Sequence, residues 1–251
     1  MDSGLYAAYT GLLSRTQALD TAANNLANVG TGGFRAEKDF FRGVLVDNLG
    51  NLTGDSQVGW TVNSFGVLGG SALDFSQGQV SVTGNALDLA LEGDGFFAIQ
   101  TTRGTRYTRQ GDFSRNSAGV LQTSHGEPVL DGTQQPIVIP TGTIGVSPDG
   151  TISVTTPEGN TIVGQVGVFG FPDKSVLNPE GANRFSVPPG TVPETGTATV
   201  RQGGIESSNQ DAIQGTMQLV LVQRQTEMMQ KALSVFYTEF DKTAAEELGK
   251  V

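Results

Sequence analysis

The chain is 251 residues long and 37% hydrophobic, and its 25 acidic residues against 15 basic ones give a formal net charge of −10. That balance opposes the counterion release on which nucleic-acid and anionic-membrane binding depend. There is no cysteine and a single histidine, His125, which excludes disulfides and thiolate metal sites and leaves little imidazole chemistry.

The chain opens Met1-Asp2-Ser3 and then mixes polar with apolar residues, without the basic n-region or apolar core of a secretory signal peptide. No stretch reaches the ~18 consecutive apolar residues of a membrane span. The expectation is a protein that is cytoplasmic or exported without a cleaved signal. Between Leu5 and Val29 the only Gly or Pro is Gly11, and Leu5, Leu12, Leu19 and Leu26 recur every seven residues, with Tyr9, Thr16 and Ala23 between them. That spacing predicts a helix with a coiled-coil-like seam.

From Arg35 to Gln79 the apolar residues Phe40, Phe41, Val44, Leu45, Trp60, Phe65 and Leu68 keep no sustained period, which reads as an extended connector with some short strands. Beyond it the pattern changes. Leu87, Leu89 and Leu91 alternate up to Gly93-Asp94-Gly95, after which Phe96, Phe97 and Ile99 begin a new run, the pattern of a hairpin. Further short runs around Tyr107, Val120, Ile137, Thr151 and Ile162 are separated by turn residues such as Pro148-Asp149-Gly150, and all ten prolines lie between Pro128 and Pro193. Short strands at near-regular spacing without helical periodicity predict an antiparallel all-β domain.

Thr216 to Leu248 contains neither Gly nor Pro and predicts a helix roughly 50 Å long at 1.5 Å per residue, longer than a small domain is wide. It carries two apolar stripes. One holds Met217, Leu221, Met228, Ala232 and Val235, the other Leu219, Val222, Met229, Leu233, Phe236 and Phe240. Two stripes imply neighbours on more than one side. Ordering the two ends costs ~1–2 kcal/mol of backbone entropy per residue against ~1.5–3 kcal/mol for each buried Leu or Met, so the ends are expected to be partly ordered in a monomer and to order on assembly. Head-to-tail contacts that do not close generate filaments.

Little in the sequence suggests catalysis. Glu92 and Asp94 could flank a sugar as a carboxylate pair, but Asp94-Gly95 reads better as a turn with solvated carboxylates. Gly66, Gly69 and Gly70 have no following helix with Lys-Ser/Thr and do not make a phosphate loop. His125 lies in a turn composition, and Arg103, Arg106, Arg109 and Arg115 form a local basic cluster with Tyr107 and Phe113 interleaved, which reads as a subunit interface or a solvated face. No catalytic, cofactor-binding or metal-ligating residue is assigned.

Three stretches resemble the rod and hook family of flagellar axial proteins. They are NNLANVGTGGFRA (Asn24 to Ala36), GNALDLALEGDGFFAIQ with YTRQGDFSRNSAGVLQTSHGEPVL (Gly84 to Gln100, Tyr107 to Leu130), and GGIESSNQDAIQGTMQLVLVQRQTEMMQKALSVF (Gly203 to Phe236). Gly32 stands where the family commonly has proline, and Thr226 where an aromatic usually precedes the Glu. The start and length resemble the proximal-rod F-type subunit, with the distal-rod G-type open.

The resemblance implies an α+β fold in which terminal helices (1–35 and 205–251) pair as a coiled coil in the inner layer of a tube, joined by a connector (36–79) to a central antiparallel β domain (80–204). It implies a torque-transmitting rod subunit exported through the flagellar type III apparatus into the periplasm. Expected partners are copies of itself, other rod proteins and the export apparatus, with peptidoglycan a further candidate and neither nucleic acid nor membrane insertion. The expected interface residues are Leu5, Leu12, Leu19 and Leu26 on one helix and Met217, Leu221, Met228 and Val235 on the other. The alternative is an exported β-domain adhesin or glycan binder, which predicts an aromatic-lined groove, and a third reading is a cell-wall hydrolase using Glu92 and Asp94.

Overall fold

The computed structural model describes residues 2–42 and 67–248. Both Gly- and Pro-poor ends are helical, α1 over Asp2–Ala27 and α2 over Ala212–Leu248. At 1.5 Å per residue α2 is about 55 Å long. The strands between them are β1 (Glu37–Arg42), β2 (Val67–Leu73), β3 (Val80–Val82), β4 (Leu89–Glu92), β5 (Phe96–Thr101), β6 (Gly104–Thr108), β7 (Ser114–Arg115), β8 (Leu121–Gln122) and β9 (Thr143–Val146). They continue as β10 (Thr151–Thr156), β11 (Gly159–Gln165), β12 (Val168–Gly170), β13 (Asn178–Pro179), β14 (Arg184–Ser186), β15 (Glu194–Thr195), β16 (Thr199–Gln202) and β17 (Gly204–Glu206). The fold is α+β, and the strand pairs are antiparallel, as the short, turn-separated runs predict.

The largest sheet has the order β13-β14-β6-β5-β12-β15, a second has β11-β10-β9, and β16-β4, β17-β3, β7-β8 and β1-β2 are two-stranded. Alternation along β5 sends its side chains to two cores. Phe97 and Ile99 join Leu89, Leu91, Phe113 and Val200 in a mainly aliphatic core that includes the Phe97–Phe113 pair, while Phe96 packs edge-on against Phe75, Phe171 and Phe185 with centroids 5.9–6.0 Å away.

Gly93-Asp94-Gly95 does not close the expected hairpin. β4 pairs with β16, Leu91 opposite Val200, and β5 pairs with β6 and β12. The Asp94 carbonyl accepts from the Thr197 and Ala198 amides, so the turn hands the chain from one sheet to another. The hairpin lies one step later, at β5–β6, where the Thr101 hydroxyl donates to the Gly104 carbonyl. Part of the expected connector is a paired β1–β2, Phe40 opposite Gly70; Val44, Leu45, Trp60 and Phe65 lie outside the described residues.

The chain divides into two compact units at points other than the expected boundaries. One comprises Met1–Ala27, Glu37–Leu73 and Ala212–Val251, the other Asn28–Ala36 and Asp74–Asp211. The segments flanking the helices, 28–36 and 204–211, therefore belong with the β strands, because buried charges tie them there.

Candidate functional site

In the helical unit α1 and α2 pack together and run antiparallel, the Tyr9 hydroxyl lying 2.8 Å from that of Tyr237. The buried positions on α1 are Gly11, Ser14, Ala18, Ala22 and Asn25. Leu12, Leu19 and Leu26 are half-buried and flank this line one position on; the side chain of Leu5 lies outside the described residues. Small residues on the buried line let another backbone approach closely, and the leucines cover its side. Asn25 fixes the end of α1 to β1 twice, donating to the Glu37 carbonyl at 2.7 Å and accepting from the Glu37 amide at 2.9 Å.

The two stripes of α2 have different fates. Val222 and Leu233 are buried and Leu219 and Met229 half-buried, and Thr226, at the family's usual aromatic position, is buried with its hydroxyl donating to the Val222 carbonyl at 2.9 Å. The other stripe faces out. Met217, Leu221, Met228 and Val235 are 67, 56, 62 and 60% exposed, and Ile213 and Val220 extend the same row. All four interface candidates expected on α2 thus lie on its uncovered side.

A second constellation, in the β unit, was not read from the sequence. Glu206 on β17 is fully buried and accepts from Arg35 at 2.7 Å, the Gly78 amide at 2.8 Å and Arg109 at 3.2 Å. Arg35 and Arg109 are themselves 3% exposed. Burial pulls the Arg109 pKa down, and Glu206 opposes that pull; Arg109 also donates to the Gly93 carbonyl and stacks on Phe96 at 5.3 Å. One carboxylate between two buried guanidiniums pins three segments distant in sequence.

Backbone contacts extend this clamp. The Gly33 amide donates to the Glu206 carbonyl at 2.7 Å, and the Asn209 side chain accepts from the Ala36 amide at 2.8 Å and donates to the Asp74 carbonyl at 2.7 Å. Gly33 has φ +69°, and a Cβ there would sit 2.5 Å from the Arg109 carbonyl carbon and the Gln110 nitrogen, so both conformation and space require glycine. The residues leaving α1 and those leading into α2 are thereby held side by side within the β unit. Arg35, Glu206 and Asn209 all lie in the two terminal stretches that carry the family resemblance, which picks out the segments without pairing the residues.

The remaining candidates are dispersed. Glu92 pairs with Arg201 at 3.0 Å and Asp94 with Lys174 at 2.6 Å, and the Lys174 hydrogen bond holds the Asp94 carboxyl below its usual range, the reverse of what a glycosidase acid requires. The basic cluster does not form one face: Arg109 is in the clamp, Arg115 donates to the Pro140 carbonyl at 2.8 Å, and Arg106 chelates Glu180 at 2.8 and 3.1 Å. An open cleft of about 520 Å³ beside the β5–β6 tip is lined by Arg103, Arg106, Arg184 and His125 and by no Phe, Tyr or Trp. That differs from the aromatic groove a glycan binder predicts.

Residues 5–35 match the family described as flagella basal body rod protein, and residues 90–154 match the flagellar hook protein FlgE/F/G D1 domain. The flagellar basal-body rod protein FlgF of Caulobacter vibrioides is 34% identical over 254 residues, covering 100% of both chains. FlgF of Mesorhizobium japonicum is 34% identical over 231 residues and 89% of each chain. FlgG of Bacillus subtilis is 33% identical over 236 residues, 88% of this chain and 89% of its own.

Proposed function

The chain belongs to the flagellar basal-body rod protein family and is a structural rod subunit, and from that premise we propose that it polymerises through its terminal helices to form part of the torque-transmitting drive shaft. The observation that carries this is the uncovered row Ile213, Met217, Leu221, Met228 and Val235 on a helix whose other stripe buries Val222 and Leu233. Burying each such side chain is worth about 1.5–3 kcal/mol, and association costs about 4–15 kcal/mol, so the row supports assembly only when neighbours cover most of it. A rod, in which each helix meets several others, provides that cover.

The pairing of α1 and α2 continues in the rod as a coiled coil lining the inner layer, with the leucine row Leu5, Leu12, Leu19 and Leu26 completing contacts at the flank. The end-to-end match with a FlgF chain favours the proximal-rod F-type subunit. Its partners are copies of itself, other rod proteins and the export apparatus, and its destination is the periplasmic rod. Peptidoglycan is the surrounding material it would meet there.

The test replaces Met217→Asp and Leu221→Asp together in cells lacking the native copy. The expected result is secreted protein with unchanged thermal unfolding, basal bodies without the subunit, and loss of motility. Full motility with the doubly charged variant would overturn the proposal.

A further inference from the structure

The cleft at the β5–β6 tip holds three arginines but only two carboxylates, Glu127 and Glu180, an excess of positive charge in a chain of net charge −10. Its walls come from three fixed pieces. The Gln100 amide donates to the Pro128 carbonyl at 2.8 Å, which ties the 125–128 turn beside β5, and Arg184 begins β14, which pairs with β6. Within the hairpin tip the Arg103 amide donates to the Thr101 hydroxyl at 3.2 Å.

Each carboxylate has its own arginine. Glu127 is held by Arg184. Glu180 is chelated through both oxygens by Arg106, whose remaining Nη1 donates to the Arg103 and Thr105 carbonyls at 3.0 Å. Arg106 also holds the Glu180 carboxyl below its usual range, so that acid stays ionised and paired. Arg103 is left with a 3.8 Å approach to the already chelated Glu180, and its side chain is 72% exposed. It lines the cleft together with the exposed His125.

We propose that this cleft binds a carboxylate presented by an acidic protein segment, with Arg103 as the guanidinium that engages it. A guanidinium held only by a 3.8 Å approach to an already chelated carboxylate can turn to a second carboxylate and fit it fork to fork. Nucleic acid would require several phosphate contacts in a basic field, and a neutral glycan would have no aromatic ring to lie on. The volume suits one acidic side chain and its neighbours rather than a folded surface.

His125 is the sole histidine, so its imidazole Cε1–H gives an unambiguous NMR signal at the cleft in the full-length protein. Glutarate, a short poly-glutamate peptide and chitotriose are titrated in turn while that signal is followed. Expected are saturating shifts with glutarate and with the peptide, none with chitotriose, and binding about tenfold weaker in Arg103→Gln, the loss of one charge-assisted pair; the exposed position of Arg103 leaves the rest of the spectrum unchanged. A shift with protein concentration alone that Arg103→Gln abolishes would also support the site and identify a second copy as the source of the carboxylate. No saturation by either acidic probe, equal response to chitotriose, or unchanged affinity in Arg103→Gln would overturn it.

Discussion

The two units treat their side chains in opposite ways. The β unit buries an aliphatic core, an aromatic cluster and a charged clamp, with Glu206 satisfied by two arginines and a backbone amide. The helical unit buries a line of Gly, Ser, Ala and Asn on α1 and leaves a row of Met, Leu and Val on α2 in solvent. A unit that satisfies its groups internally is built to persist alone. One that displays its apolar residues is built to be covered, and the clamp joins the two roles by holding both helix-flanking segments at one place in the β unit.

The largest expected effect breaks the self-sufficiency of the β unit. Glu206→Gln leaves two buried guanidiniums without their anion, and urea unfolding is expected to register a loss of about 3–5 kcal/mol. In the helical unit Leu233→Ala removes a buried side chain and should cost about 2–4 kcal/mol, read as a lower midpoint of helix loss by circular dichroism. Gly33→Ala strains a left-handed backbone against Arg109 and should cost about 1–3 kcal/mol, again in the β unit.

The contrast is sharpest at Met228→Gln. This exposed position is expected to change monomer stability by less than about 0.5 kcal/mol while impairing incorporation into basal bodies. If stability fell as far as in Leu233→Ala, the two stripes would not differ in kind. The smallest effect is electrostatic. The hydrogen bond that the Tyr237 hydroxyl shares with Tyr9 holds the phenol proton in place and raises the Tyr237 phenol above its ordinary value, so the folded state favours the neutral form. That contribution is present below the ordinary phenol pKa near ~10 and is lost as pH rises through the raised value. Thermal unfolding of the helices at high pH should show the loss, and Tyr9→Phe should weaken the dependence.

The distribution of Gly and Pro was enough to place both helices, whereas of the two apolar stripes of α2 only one meets a neighbour within the chain, at Val222 and Leu233. The seam of α1 was legible in period but displaced by one position, because apolar patterning follows leucines and the buried line consists of Gly11, Ser14, Ala18, Ala22 and Asn25, which carry little hydrophobic signal. Gly93-Asp94-Gly95 has hairpin chemistry, yet which strand pairs with β4 is decided 107 residues later in sequence, where Thr199 meets Glu92. The clamp was illegible for the same reason. Nothing local in Arg35, Arg109 or Glu206 marks them as partners, and only the topology brings them together.

The most direct measurement uses the absence of cysteine from the chain. Met217→Cys and Leu233→Cys variants are assembled into flagella, basal bodies are isolated, and a short bismaleimide is added. Polymerisation through the uncovered face of α2 predicts cross-links between subunits from Met217→Cys and none from Leu233→Cys. Cross-linking at Leu233→Cys with Met217→Cys left unmodified by neighbours would contradict it.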